Sequence, residues 1–514
     1  MAQVWDHLVV GAGSAGAVLA ARLSEDPGTS VLLLEAGPDL RSADAPAEMR
    51  TGHWSNILDL QRFPSFQWAA LSARRTPERP AEPYWRGRGL GGSSSINGQV
   101  AIRPPLDDFD AWGPGWDAES VLAAFVRLED DLMFGDRPYH GRGGPIPISR
   151  APREEWGDLD RAFHDGFLAA GNRWEPDTNA PGATGVSIFA YNARDEVRVS
   201  TNDGYLEPAR TRPNLTVRGD VLVDRVLFSS GRAVGVEALV AGAPERFAAG
   251  EVIVSAGAIH SPAILQRSGI GPPDLLRSLG IAVLGALPVG EGFQEHPHVY
   301  CGFAVDDALR PPRNGRHTNA CVRWSSGLAG TAANDMMAIV NGPPPAAATS
   351  AGLGLWVNQS FSRGQVRITT ADPTVDPSVE MHLASDERDR RRLHHALEVA
   401  REVLAHPSFR ALMRSPASGI DGTLFDDLAD PGAIDAWIDR TVDGSAHASA
   451  TCQLGAVVDA ACRVHGTDGL RVVDLSIVPN VPRANTNLTA IMIGEHVAAT
   501  IRRERAGPPR KDAL

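Results

Sequence analysis

The stretch Leu8–Gly37, LVVGAGSAGAVLAARLSEDPGTSVLLLEAG, decides the fold. Its opening residues, Leu8, Val9 and Val10, read as a strand. Ala17–Leu23 is rich in helix formers, and Val31–Leu34 is a second apolar run. Strand, glycine turn, helix and strand within about thirty residues make one βαβ unit. Gly11, Gly13 and Gly16 occupy the turn with the spacing GxGxxG. The first glycine permits the tight turn, the second lets the backbone approach a pyrophosphate, and the third lets helix and strand pack closely. The helix N-terminus then turns its partial positive charge toward the phosphates. Glu35 ends the second strand, where a carboxylate accepts hydrogen bonds from ribose hydroxyls and repels a 2′-phosphate. The unit predicts a bound dinucleotide other than NADP; FAD and NAD are both compatible with it.

The rest of the 514 residues narrows the function by exclusion. Nearly all of the 49 basic residues are arginine, and the one lysine is Lys511. Schiff-base and PLP enzymes need a buried lysine, and P-loop ATPases and protein kinases need a phosphate-binding one, so these classes drop out. The net charge of −13 and the lack of a basic block argue against a nucleic-acid partner. No apolar run is long enough for a membrane span. Cys301, Cys321, Cys452 and Cys462 show neither a disulfide framework nor metal-ligand spacing. With a strand-like run already at Leu8, they point to a cytoplasmic protein without a structural metal.

Further along, apolar runs at Leu215–Val217, Val221–Phe228, Ala233–Leu239 and Glu251–Val254 suit strands. Helices are expected over residues 115–130, 386–405 and 489–502. Residues 305–350, rich in Pro, Gly, Asn and Ala and including Pro343–Pro345, read as loop, and so do residues 134–150.

Five segments in order then resemble the glucose–methanol–choline (GMC) oxidoreductase family. The opening Val9–Gly37 is similar to its FAD-binding start. Gly87–Asp110, GRGLGGSSSINGQVAIRPPLDDFD, resembles its first signature, and Gly257–Gly271, GAIHSPAILQRSGIG, its second. GEGFQEHP (Gly290–Pro297) resembles the element where the chain leaves the FAD domain. GSAHASATC and GLRVVDLSIVPNVPRANTNLTAIMIGE resemble the C-terminal region with the active site. The texture is similar to choline-dehydrogenase-like bacterial members, including 5-hydroxymethylfurfural-type oxidases and flavoproteins associated with mycofactocin.

The resemblance implies an α/β Rossmann-like FAD domain plus a substrate domain with a large antiparallel sheet backed by helices. Residues 1–150, 205–300 and 455–514 would form the first, and residues 151–204 and 301–454 the second. It implies FAD contacts from Ser14 and Ala15 beside the three glycines, and from Ala36 after Glu35. Gly91, Ser94, Asn97 and Gly98 would contribute from the first signature, and Val221, Ala256, Ala446, Asp474 and Leu475 from later segments. Some members attach flavin through a histidine just before the asparagine of the first signature. Here that position is Ile96, so FAD is expected to be non-covalent.

Oxidising an alcohol removes a hydroxyl proton and a carbon-bound hydride. FAD takes the hydride, so the protein must supply a base and hold the oxygen. Histidine titrates near neutral pH and suits the first task. The resemblance singles out His447 among 15 histidines as that base, and Asn487 as the amide that holds the oxygen. Asn485 competes for the second role, and Asn487 could instead start the last helix. Ala448 and Ala450 stand where the family has Pro and Gly. His260 reads as structural, His296 and His298 as part of the domain junction, and His394–His395 as solvated helix face. The substrate would be a small alcohol, with oxygen or another electron acceptor taking the electrons. A hydroxynitrile lyase and a redox-idle flavoprotein are the alternatives.

Overall fold

The strand Val4–Val10 (β1), buried from His7 onward, lies near the middle of a seven-stranded sheet in the computed structural model, which describes residues 3–50, 64–306, 309–342 and 349–506. Pro343–Pro345 and Lys511 lie outside the described residues. β1 pairs in parallel with Val31–Leu34 (β2) on one side and with Ala243–Val254 on the other. All four β2 residues are buried, as expected of a strand covered on both faces. Leu215–Arg218 extends the sheet beyond β2. The 12-residue strand Ala243–Val254 serves two neighbours: its first half pairs antiparallel with Arg232–Val240, and its end pairs in parallel with Leu470–Val472. Helix Gly16–Leu23 (α1) follows the glycine turn and packs against the last helix, Asn487–Ala506.

A second seven-stranded sheet runs in the order Asp443–Gly444, Pro297–Ala304, Ser350–Val357, Met336–Asn341, Ala320–Trp324, Gly185–Ile188 and Trp174–Asp177. It is antiparallel except for its last pair, and helices Asp158–Ala169 and Glu387–Ala405 pack on it. The expected boundary at residue 300 falls inside the strand Pro297–Ala304. A five-stranded sheet joins Ser72–Arg74 and Ala81–Pro83 to Glu291–Phe293, Gly364–Arg367 and Ser378–Glu380, linking the two halves.

The expected helices form as Ala118–Leu128, Glu387–Ala405 and Asn487–Ala506. Residues 305–350 depart from the reading as loop, because Ala320–Trp324 and Met336–Asn341 are strands in the middle of the second sheet. Their short runs, ACVRW and MMAIVN, are buried almost throughout and so lack the polar alternation that marks a half-exposed strand. Among the described residues, no helix is long and apolar enough to cross a membrane.

Candidate active site

A long channel begins at the glycine turn. Gly11 adopts φ +95°, and a Cβ there would meet the Ser255 carbonyl oxygen at 2.5 Å, so the turn demands glycine. A Cβ on Gly16 would lie 1.9 Å from the Gly11 carbonyl oxygen, whereas one on Gly13 would meet nothing within 4 Å. Gly16 therefore serves packing and Gly13 opens onto free space. The N-terminus of α1 has no side-chain cap and no acidic residue in its first turn. Its free N–H groups are available to a pyrophosphate.

Of the other expected contacts, Ser14, Ala15, Glu35, Ala36, Val221 and Ala256 line this channel, as do Asp474 and Leu475. Glu35 is buried, and its carboxylate accepts from the backbone N–H groups of Ala12, Gly37 and Gly89 at 2.8–2.9 Å. Burial raises its pKa, and those N–H groups oppose the rise. Oε2 accepts only one of the three bonds, which leaves it a lone pair for a ribose hydroxyl. Asp474 caps the helix Gly257–Arg267 from across the sheet, accepting from Gly257 N–H at 2.8 Å and Ser261 Oγ at 2.5 Å.

The first-signature residues shape the channel from behind. Gly91 donates to the Ala12 carbonyl at 2.8 Å, and Ser94 is buried with its hydroxyl donating to the Gly91 carbonyl at 2.6 Å. The Asn97 side chain accepts from Gln99 N–H and from Arg198, and Gly98 follows in the same turn. Ala446 adopts φ +58°, and its carbonyl accepts from Arg86.

Next to Ala448, which lines the channel, stands His447. Its backbone N–H donates to both oxygens of Glu295, at 2.9 and 2.8 Å, and Tyr84 donates to the same carboxylate at 2.5 Å. This buried carboxylate anchors the loop; its own pKa is raised by burial. The His447 ring is held on both sides. Nδ1 lies 2.8 Å from Nδ1 of His296, with the rings nearly perpendicular at 83°. Nε2 lies 3.3 Å from the side-chain amide nitrogen of Asn485. Burial lowers the pKa of His447 well below the usual histidine value, and His296, Arg86 and His298 push it the same way.

The amide beside His447 is thus Asn485. Asn487 points elsewhere: it opens the last helix, and its side-chain oxygen accepts from Ser14 Oγ at 2.9 Å. The Asn485 side-chain oxygen and the Asn487 side-chain nitrogen are both buried without a hydrogen-bond partner. Buried amide groups of this kind need partners. Ala450 adopts φ +66°, the left-handed region that the family's glycine occupies without strain. His298 stacks on Trp356 at 5.4 Å, and the Trp356 indole donates to Ser445 Oγ at 2.6 Å, forming a flat wall near His447. His260 stacks on Trp68 at 3.9 Å and reaches Asp376 at 3.2 Å, and with Trp68 it lines the channel. His394 pairs with Asp435, and His395 accepts from Trp324, so neither is simply solvated.

Residues 5–298 and residues 360–494 each match the family described as GMC oxidoreductase. This chain belongs to the GMC oxidoreductase family. It is 37% identical to the 5-(hydroxymethyl)furfural oxidase of Methylovorus sp. (strain MP688), over 97% of this chain and 98% of that protein. It is 34% identical to an oxygen-dependent choline dehydrogenase of Xanthomonas campestris pv. campestris (strain B100), over 100% of this chain and 98% of that one. Among solved structures, pyridoxine 4-oxidase from Mesorbium loti superposes with a TM-score of 0.88 at 29% identity, covering 97% of this chain and 99% of its own. Nothing in these matches supports an association with mycofactocin.

As a GMC oxidoreductase the protein is an FAD-dependent alcohol oxidase or dehydrogenase. The uncapped helix, the open face at Gly13 and the spare lone pair of Glu35 fit that cofactor. Sequence reading set His296 aside with His298 as a junction pair. The two do not converge: His296 turns to His447, and His298 to Trp356 and Ser445. The acid-histidine pair Glu295–His296 was visible in GEGFQEHP, but nothing local ties it to a loop about 150 residues away.

Proposed function

We propose that this GMC oxidoreductase oxidises the alcohol carbon of a flat, aromatic primary alcohol to the aldehyde, with His447 as base and Asn485 as the donor to the alcohol oxygen. The carrying observation is the pairing of the His447 Nε2 atom with the Asn485 amide at 3.3 Å, while the other ring nitrogen is held by His296. When bound, FAD accepts the hydride at N5. His447 is neutral at pH 7 because burial disfavours its charge, so its Nε2 lone pair can take the hydroxyl proton once the alcohol displaces the Asn485 N–H that faces it. Asn485 can then donate to the oxygen as negative charge develops there. The electrons leave to oxygen or to another acceptor.

Two observations support an aromatic substrate over a quaternary ammonium alcohol. The wall of Trp356 and His298 offers a flat face near His447. The carboxylate behind His447 is fully engaged with Tyr84, His296 N–H and His447 N–H, which leaves no anionic oxygen for a cation. The two relatives whose names specify ring-bearing substrates, a hydroxymethylfurfural oxidase and a pyridoxine oxidase, agree with this reading. FAD is non-covalent in it, since Ile96 is a buried aliphatic residue. The FAD-holding part comprises residues 1–150, 205–300 and 455–514. Four buried free cysteines suit the cytoplasm.

An anaerobic titration tests the proposal. Benzylic and furfuryl alcohols should bleach the yellow flavin and choline should not, and acid precipitation should leave a yellow supernatant. Bleaching by choline alone would overturn the substrate class. Cyanide release from cyanohydrins without any bleaching would replace the reaction with a lyase.

A further inference from the structure

We infer that His296 is a positioning residue that fixes the tautomer of His447, holding its proton on Nδ1 and leaving the lone pair on Nε2 to face the alcohol. This rests on the reading of His447 as the base. The two Nδ1 atoms are 2.8 Å apart, a distance at which one must donate and the other accept. Which one donates is decided on the far side of each ring.

The backbone carbonyls of Pro482 and Asn358 lie near the His296 ring and act to raise its pKa, and the buried Nε2 has no aligned hydrogen-bond partner. Carbonyls only accept. A lone pair on His296 Nε2 would oppose their oxygens, whereas an N–H there is attracted to them. A neutral His296 with its proton on Nε2 has a bare Nδ1, which must accept from His447. The far side of His447 leads to the same assignment. Its Nε2 faces the amide nitrogen of Asn485 at 3.3 Å, a donor that needs a lone pair opposite it. Both ends of the pair therefore specify one proton order: Asn485 N–H to His447 Nε2, and His447 Nδ1–H to His296 Nδ1.

His296 is completely enclosed, and burial drives its pKa down to about 4, so it remains a neutral acceptor at working pH. The other charged groups nearby do not compete for the His447 ring. Glu295 takes its backbone N–H rather than its imidazole, Tyr84 is bound to Glu295, Arg86 donates to the Ala446 carbonyl, and His298 is tied to Ser445. The arrangement does with a neutral imidazole what an aspartate does in a Ser-His-Asp triad, where the partner on Nδ1 sets the tautomer and orientation of the base. When His447 takes the hydroxyl proton, its Nδ1–H still has an acceptor.

The tautomer can be read directly by nitrogen-15 NMR of the histidine-labelled holoenzyme, with His447 assigned from the spectrum of His447→Ala. The resting enzyme should show His447 with Nδ1 protonated and Nε2 bare. A proton on Nε2 would overturn the inference, even if His447 is the base. Substitution supplies a second reading. In His296→Leu no acceptor faces Nδ1, and the rate of flavin reduction should fall roughly a hundredfold with FAD content unchanged. In His296→Asn the amide oxygen can stand near the lost Nδ1, and most of that rate should return. A His296→Leu enzyme that reduces its flavin at the parental rate would remove His296 from the role. So would a His296→Asn enzyme as slow as the leucine variant at equal FAD content. A parental rate in His447→Ala would instead defeat the underlying reading of the base.

Discussion

Two histidines in this protein are built for opposite charge states. His140 lies under the loop that follows helix Ala118–Leu128, with Nδ1 2.7 Å from Glu129 and Nε2 2.9 Å from Asp177. Arg150 binds Asp131 and Asp177, and Arg103 pairs with Glu129. Three carboxylates then face two guanidinium groups, and the set balances only when His140 is protonated. Burial opposes that charge, but the hydrogen bonds to Asp177 and Glu129 outweigh it and raise the pKa. Glu129, Asp131 and His140 are also spaced as metal ligands could be, yet the arginines already supply the cations. His447 is enclosed as well, but its ring meets an imidazole and an amide and no carboxylate. Its pKa falls. Burial alone does not decide what a histidine does; the partner on each ring nitrogen does. One cluster is built as a charged staple, and the other holds a neutral ring, the one proposed as base.

The sharpest break between the two sites is chemical. His447→Ala should slow flavin reduction by at least about a hundredfold, the range of a lost general base, while FAD stays bound. Stopped-flow absorbance under anaerobic conditions measures it. Asn485→Ala should cost roughly a hundredfold, the lower end of the range for one donor to a developing oxyanion. Asn487→Ala should keep nearly the parental rate and weaken FAD retention through the lost Ser14 contact. Equal rate losses in the two asparagine variants would undo the assignment made from geometry.

His140→Leu should act on stability instead. It leaves Glu129 and Asp177 buried with a missing partner, at a cost of about 3 kcal/mol. Thermal unfolding should drop by several degrees while flavin reduction per folded molecule holds. A large rate loss with unchanged melting would reverse the roles of the two clusters.

Changing the pH separates them without mutation. His296, whose folded pKa is about 4, binds a proton more readily when unfolded, so its stabilising contribution is present above pH 6.5 and is lost as pH falls toward 4. The loss from this residue is about 2 kcal/mol at pH 5, and His447 and His298 add in the same direction. His140 runs the other way: its contribution is full below pH 6.5 and disappears as pH rises through its raised folded pKa. Denaturant melts of the parent, His296→Leu and His140→Leu at pH 5, 7 and 9 should show the two opposite slopes. Flavin reduction should stay on its plateau between pH 7 and 6, and decline only as His447 protonates well below 6.5. A rate that halves near pH 6.5 would place the titration elsewhere.

The smallest effect concerns the loop itself. Ala450 adopts the left-handed conformation, which strains a non-glycine residue by roughly 1–2 kcal/mol. Glycine relieves that strain but adds roughly 0.5–1 kcal/mol of chain entropy to be lost on folding. Ala450→Gly should therefore stabilise by about 0.5 kcal/mol, visible as a slight rise in melting temperature.

The βαβ start was legible because its signals are local: a buried apolar run, three glycines with distinct steric tasks, and an acid at the next strand's end all lie within about thirty residues. His447 was legible because a resemblance over five segments marked it. The strands Ala320–Trp324 and Met336–Asn341 were not, since full burial erases the alternation that reveals a strand. The choice between Asn485 and Asn487 also lay beyond the sequence. Asn485 precedes the helix that Asn487 opens, so helical periodicity does not fix their relative directions, and the tertiary structure sends Asn487 to Ser14 and leaves Asn485 at His447. His296 lies 151 residues from its partner, and no periodicity couples positions so far apart. The chain alone therefore determined the cofactor turn and the family, and it singled out the histidine proposed as base. The proton order inferred for His447 rests on the tertiary structure, because the strand beginning at Pro297 brings His296 against the loop that carries His447 and a tautomer is set by whatever faces the other nitrogen.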